Sequence, residues 1–195
     1  SDLRIGVEVS RIRRSLEVET AGEVLAADAV IVAMPPGAAA GILKSDFPEL
    51  ADSLSGIHCV STATVTLAYR DAAASIPLDG TGFVIAKGES RRILACPWSS
   101  RKFAGRAPEG VLLVRCFLGG EEGGDLLAHD DEMLVETARE ELTEIMGLRM
   151  EIILSRVYRW SRANPILEVG HAIRLAGIEK QLDAPPNLFL AGAGI

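Results

Sequence analysis

The chain has 195 residues, 48% of them hydrophobic and 24% charged, enough to bury one large core or a core plus pieces of a second domain. Its net charge of -7 lacks the basic footprint of a general nucleic-acid binder. Cys59, Cys96 and Cys116 are far apart in sequence and each sits in an apolar, strand-like run, which gives neither a disulfide framework nor a zinc pattern. His58, His129 and His171 show no spacing that places two ligands on one metal, so no metal site is assigned. No apolar run reaches the ~18 residues that span a bilayer, and no charged-then-apolar leader opens the chain. The expectation is a soluble, cytoplasmic protein in a reducing compartment.

Residues 3–9 and 11–20 alternate apolar and polar positions, with a turn at residues 21–23, and predict a small β-meander. Residues 28–34 form a continuous apolar run, the pattern of a parallel strand buried on both faces, and Pro35 and Pro36 end it. A domain changeover is expected near Pro35. A short helix over 48–54 starts at Pro48. From His58 to Tyr69 one face is apolar and the other carries Thr62, Thr64 and Thr66. Strands over 82–86, 92–98 and 111–117, separated by turn-rich segments including 78–81 and 106–110, complete a mostly antiparallel sheet.

Leu134, Val135, Ala138, Leu142, Ile145 and Met146 recur at helical spacing between Asp130 and Gly147, residue types that favour a helix start and stop. The opposite side, Glu136, Glu140, Glu141 and Glu144, reads as a solvated face with nothing to shift a catalytic carboxylate. The pairs Arg13 and Arg14, Arg91 and Arg92, and Arg101 and Lys102 read as solvated strand ends and are assigned no site. A strand over 151–160 and a helix over 170–182 follow. Residues 187–195 then read as a buried strand running into a glycine turn, where small residues let backbone N–H groups approach a phosphate or cofactor edge. The chain looks cut there, as though it held half of a cofactor site. The fold class expected is α+β, a mixed, mostly antiparallel sheet with helices packed on it, flanked by pieces of a discontinuous α/β domain.

Several strings occur in one order: 29–36 (AVIVAMPP), 60–69 (VSTATVTLAY), 79–83 (DGTGF), 96–100 (CPWSS), 105–110 (GRAPEG), 157–160 (VYRW), 169–171 (VGH) and 187–193 (NLFLAGA). Together they resemble the oxygen-dependent protoporphyrinogen oxidases of the flavin amine oxidase superfamily. The resemblance implies an FAD domain in segments, here 1–34 and 172–195, around a substrate domain over 35–171. No Gly-x-Gly-x-x-Gly follows a strand, so the element that places a pyrophosphate on a helix N-terminus is lacking in these residues. The isolated chain is therefore expected to bind FAD weakly and not to turn over.

The resemblance implies FAD contacts at Val9, at Ala33, Met34 and Pro35, and at Gly192, Ala193 and Gly194. It implies apolar walls for a tetrapyrrole at Val84, Pro97 and Phe117, with Trp160 and Arg162 where the chain returns toward the flavin and an arginine could pair a propionate. Pro97 implies an edge strand or a bulge. The partners implied are a small-molecule tetrapyrrole and O2, with no nucleic acid and with peripheral membrane contact confined to regions outside these residues. No side-chain catalytic residue is nominated, because the flavin carries the redox chemistry. The family's Met-Pro followed by Gln-Tyr stands here as 164–168 (NPILE), which leaves protoporphyrinogen and coproporphyrinogen both open. An amine or carotenoid-like substrate, or a non-catalytic domain for a hydrophobic ligand or partner, are the alternatives.

Overall fold

Alternation in the first residues folds as a three-stranded antiparallel sheet of β1 (Val9–Ile12), β2 (Glu17–Thr20) and β3 (Val24–Ala26). Tight turns set its register: Arg13 N–H donates to the Glu17 carbonyl at 2.9 Å, and Thr20 N–H to that of Glu23 at 2.9 Å. The strand expected over 3–9 begins only at Val9, since a turn at Ile5 and Gly6 interrupts the chain and leaves Leu3 and Ile5 exposed. The computed structural model describes residues 2–70, 79–120, 125–183 and 186–195, so Leu78 of the turn expected over 78–81 lies outside the described residues.

The residues form two compact units. One runs from the N-terminus through Cys59 and resumes at Arg162–Ile195, and the other is Val60–Ser161. The sequence reading sets the changeovers near Pro35 and His171 instead. Residues 36–57 stay with the first unit because Leu43, Leu50 and Leu54 bury themselves against Ile12, Val32 and Leu188.

In that first unit β4 (Val30–Val32) pairs in parallel with β10 (Leu188–Leu190), Val30 opposite Leu188 and Val32 opposite Leu190. Three helices cover one face: α1 (Pro36–Leu43), α2 (Pro48–Ser55) and α5 (His171–Leu182). Proline at the first helical position starts both α1 and α2, where its missing N–H has no intrahelical partner to lose. The expectation that β4 is buried on both faces fails, and β10, expected to be buried, is covered on one face only. Ile31 and Phe189, paired side by side, are 68% and 50% exposed, because the helices cover only the other face.

The second unit is a five-stranded sheet in the order β6-β7-β8-β5-β9, from β5 (Cys59–Arg70), β6 (Gly82–Val84), β7 (Ile93–Pro97), β8 (Val111–Gly119) and β9 (Ile152–Pro165). β6 with β7, β7 with β8, and β8 with β5 are antiparallel. A single turn, α3 (Ser99–Lys102), leads out of β7. The long helix α4 (Asp131–Met146) packs Leu134, Ala138 and Leu142 onto Val65, Leu67, Tyr69, Val114, Cys116 and Leu118, all buried. Its ends follow the sequence signals: Asp130 accepts from Met133 N–H at 2.9 Å, and Gly147 leaves in a left-handed conformation.

Glu141 corrects the reading of a wholly solvated acidic face. It is 3% exposed, and Arg92 Nε donates to its Oε1 at 3.1 Å while Arg91 lies 3.7 Å from Oε2, an ion-pair distance too long for a hydrogen bond. Arg91 and Arg92, carried on the β6–β7 connection, also pair with Glu144 and Glu140. The two arginines are therefore ion-paired rather than freely solvated. Cys96 and Cys116, twenty residues apart in sequence, meet across β7 and β8 as free thiols with sulfurs 3.8 Å apart.

Candidate functional site

Two groups of residues stand out, one in each unit. In the second unit the ladder aligns Val84 with Ala95, Ala95 with Phe117, and Phe117 with Thr64, one row across four strands. Directly opposed residues share a face, and residues two apart along a strand do too. Thr62, Thr66, Leu113, Arg115 and Pro97 therefore join that row on the face turned away from α4, whose own side takes Val65, Leu67, Val114 and Cys116.

Strand β9 extends the same surface. Arg159 turns toward α4, pairing with Asp131 and donating to the His129 carbonyl at 2.6 Å, so its neighbours Tyr158 and Trp160 point to the opposite face. Both rings are more than half exposed. Four of the residues that the resemblance singles out, Val84, Pro97, Phe117 and Trp160, thus share one sheet face. Arg162 falls in the other unit, and its left-handed backbone (φ 44°) breaks the alternation that places Trp160.

Pro97 does not mark an edge strand, because β7 is flanked by β6 and β8. It ends β7 opposite Gly82, where the chain leaves the ladder for α3, and the register irregularity lies earlier, between Ile93 and Ala95. A cavity of about 750 Å³ opens beside Val84, around the β6–β7 connection, lined also by Lys87, Arg91, Leu94 and Asp125. Arg91 is committed there to Glu141 and Glu144.

In the first unit the carboxyl ends of β4 and β10 lie side by side, the end of a parallel pair at which open α/β sheets bind ligands. Ala33, Met34 and Pro35 leave β4 there and enter α1. Ala191 N–H donates to the Val32 carbonyl at 3.0 Å and extends the pairing by one bond, after which Gly192 adopts φ 148°. The N–H groups of Gly192, Ala193 and Gly194 donate to no backbone carbonyl among the described residues. A Cβ on Gly194 would meet Pro36 and Pro165 at 3.2 Å, so this glycine permits a close approach of three segments. Backbone donors beside small residues at a strand end fit the phosphate and ribityl edge of a dinucleotide. Val9 opens β1 in the separate three-stranded sheet, half-buried against the same core.

Among the described residues, no cluster of three or more His, Cys, Asp or Glu side chains could hold a metal. No helix among them is long and apolar enough to cross a membrane. Burial raises the Tyr69 phenol well above its ordinary range. The contact with Cys96, followed by burial, does the same to the Cys116 thiol, so neither group ionises near neutrality.

Sequence reasoning missed that Arg115 and Tyr158 share this face. Both signals were present as spacing, two residues before Phe117 and two before Trp160, once the face of each strand is known.

The family described as flavin containing amine oxidoreductase matches residues 1–195. A coproporphyrinogen III oxidase of Bacillus subtilis (strain 168) is 33% identical over 92% of this chain and 38% of its own length. A mitochondrial protoporphyrinogen oxidase of Nicotiana tabacum is 27% identical over 77% of the chain and 31% of its own length. A crystal structure from Exiguobacterium sp. 255-15, whose name carries a provisional assignment as protoporphyrinogen oxidase, superposes with a TM-score of 0.74 at 27% identity, covering 95% of this chain and 40% of that one. The chain spans about two fifths or less of the length of these relatives. A match along its whole length, joined to an α+β fold with a parallel strand end and an open antiparallel face, makes the chain a member of the flavin containing amine oxidoreductase family.

Proposed function

We propose that the full-length protein containing this chain oxidises a porphyrinogen to a porphyrin with FAD and O2. The observation that carries the reading is the row Val84, Ala95, Phe117 and Thr64 on the sheet face opposite α4, bordered by the exposed rings of Tyr158 and Trp160. A flat macrocycle needs a broad wall of this kind: apolar contact contributes roughly 25 cal/mol per Å2 and aromatic rings add stacking. Val84, Pro97 and Phe117 would form that wall, with Trp160 at its border; the resemblance suggests Arg162 as the partner of a propionate.

Ala33, Met34, Pro35, Gly192, Ala193 and Gly194 would hold the flavin nucleotide's phosphate and ribityl side, with Val9 toward the adenine. When bound, the flavin supplies hydride acceptance, each two-electron step removing a hydride and a proton from the macrocycle while one O2 becomes one H2O2. The chain's own residues bind, orient and exclude water. Strands β5 to β8 place no Asp, Glu or His on the proposed wall. Domain roles follow the same division: flavin for the unit of β4 and β10, substrate for the five-stranded sheet.

The test is anaerobic flavin bleaching in the full-length protein, mixed in turn with coproporphyrinogen III, protoporphyrinogen IX and a primary amine. Bleaching by a porphyrinogen and none by the amine is expected. Bleaching by the amine alone would move the protein to the amine-oxidising branch. A full-length protein without any flavin spectrum would favour a non-catalytic ligand-binding domain.

A further inference from the structure

Arg115 is the one charged residue among the strand positions that surround Phe117 on the open face. It stands opposite Thr66 on β8, an interior strand flanked by β7 and β5, so it is not a charge that protects a sheet edge. It lies two residues, about 7 Å, from Phe117 along the strand, and on the same side. Its other neighbours on that face are Thr64, Thr66, Leu113 and Pro97.

The chain carries an acidic excess, and seven of its sixteen arginines are committed to it among the described residues. Arg4, Arg11, Arg13, Arg91, Arg92, Arg139 and Arg159 each pair with a carboxylate. Arg115 is exposed and pairs with none among the described residues. β5 to β8 offer it no Asp or Glu on that face; the other cations on the face are Arg70, at the end of β5, and Arg156 on β9, two residues before Tyr158. A guanidinium set in an apolar and hydroxyl-bearing surface is arranged for an anion from outside, and its planar fork suits a carboxylate.

We infer that Arg115 binds a carboxylate arm of the substrate and biases the face toward a tetracarboxylate porphyrinogen over a dicarboxylate one. The inference rests on the porphyrinogen reading above and deepens it. A macrocycle stacked over Phe117 carries its carboxylates at the rim, and Arg115 stands at rim distance along the strand. Four carboxylates offer a propionate to Arg115 in more orientations than two do.

The experiment compares wild type, Arg115→Ala and Arg115→Lys in the full-length protein with coproporphyrinogen III, its tetramethyl ester and protoporphyrinogen IX, read as kcat/KM from porphyrin fluorescence. Loss of a charge-assisted hydrogen bond lowers kcat/KM for coproporphyrinogen III by about 10-fold or more in Arg115→Ala, with partial recovery in Arg115→Lys. The ester is expected to lose little. Equal losses on acid and ester, or no loss on either, would overturn the role of Arg115 and leave porphyrinogen oxidation standing. A wild-type protein that oxidises none of the three would overturn both.

Discussion

At the residue scale, one change in spacing decides whether a side chain serves core or site. Tyr69 and Ala68 are consecutive, yet Tyr69 is fully buried on the α4 side while Ala68 belongs to the threonine face. The Tyr69 hydroxyl has no hydrogen-bond partner among the described residues, and its ring sits among Leu67, Val114 and Leu134. Burying a hydroxyl without a partner costs more than deleting it. Tyr69→Phe is therefore expected to leave stability unchanged or raise it by up to about 1 kcal/mol, measured as the urea unfolding midpoint. A loss of that size would show that the hydroxyl is held by a bond. The threonine face was legible from alternation alone, whereas Glu141 was not: its burial comes from Arg91 and Arg92, some fifty residues away, and helical spacing cannot announce a distant partner.

At the element scale, α4 is the most completely legible piece, because its apolar spacing, Asp130 and Gly147 agree. Removing the cap, Asp130→Ala, frees the Met133 N–H and is expected to cost about 1 kcal/mol by urea denaturation followed by circular dichroism, with Asp130→Asn retaining most of it. An effect below about 0.3 kcal/mol would mean that Asp131 and Glu132 in the first turn compensate. Helix α1 was missed because its Ala and Gly run carries no amphipathic period; its burial through Ala39, Ala40 and Leu43 is a tertiary fact. The strand β10 and its glycine turn were legible, and so was the parallel character of β4. What the sequence could not supply was their pairing, which places Ala33, Met34 and Pro35 beside Gly192.

At the scale of the molecule, both compact units change over inside long strands, at Cys59 to Val60 in β5 and Ser161 to Arg162 in β9, not at a proline or a linker. Composition marks linkers but is blind to a strand that carries the chain from one core into another, which explains the expected changeover at Pro35. The family and the α+β class were readable from ordered strings, since such strings preserve turns and strand ends across the whole length. The proposed substrate face was readable only in part. Val84, Pro97 and Phe117 came from resemblance, while Arg115 and Tyr158 required knowing which side of each strand α4 covers.

The central claim is that the sheet face opposite α4 is the porphyrinogen wall. A crystal structure of the full-length protein with coproporphyrin III bound tests it most directly. The account predicts the macrocycle against Val84 and Phe117, with a carboxylate within hydrogen-bond distance of Arg115. A macrocycle seated elsewhere, with Val84, Phe117 and Arg115 free of ligand contact, would contradict it.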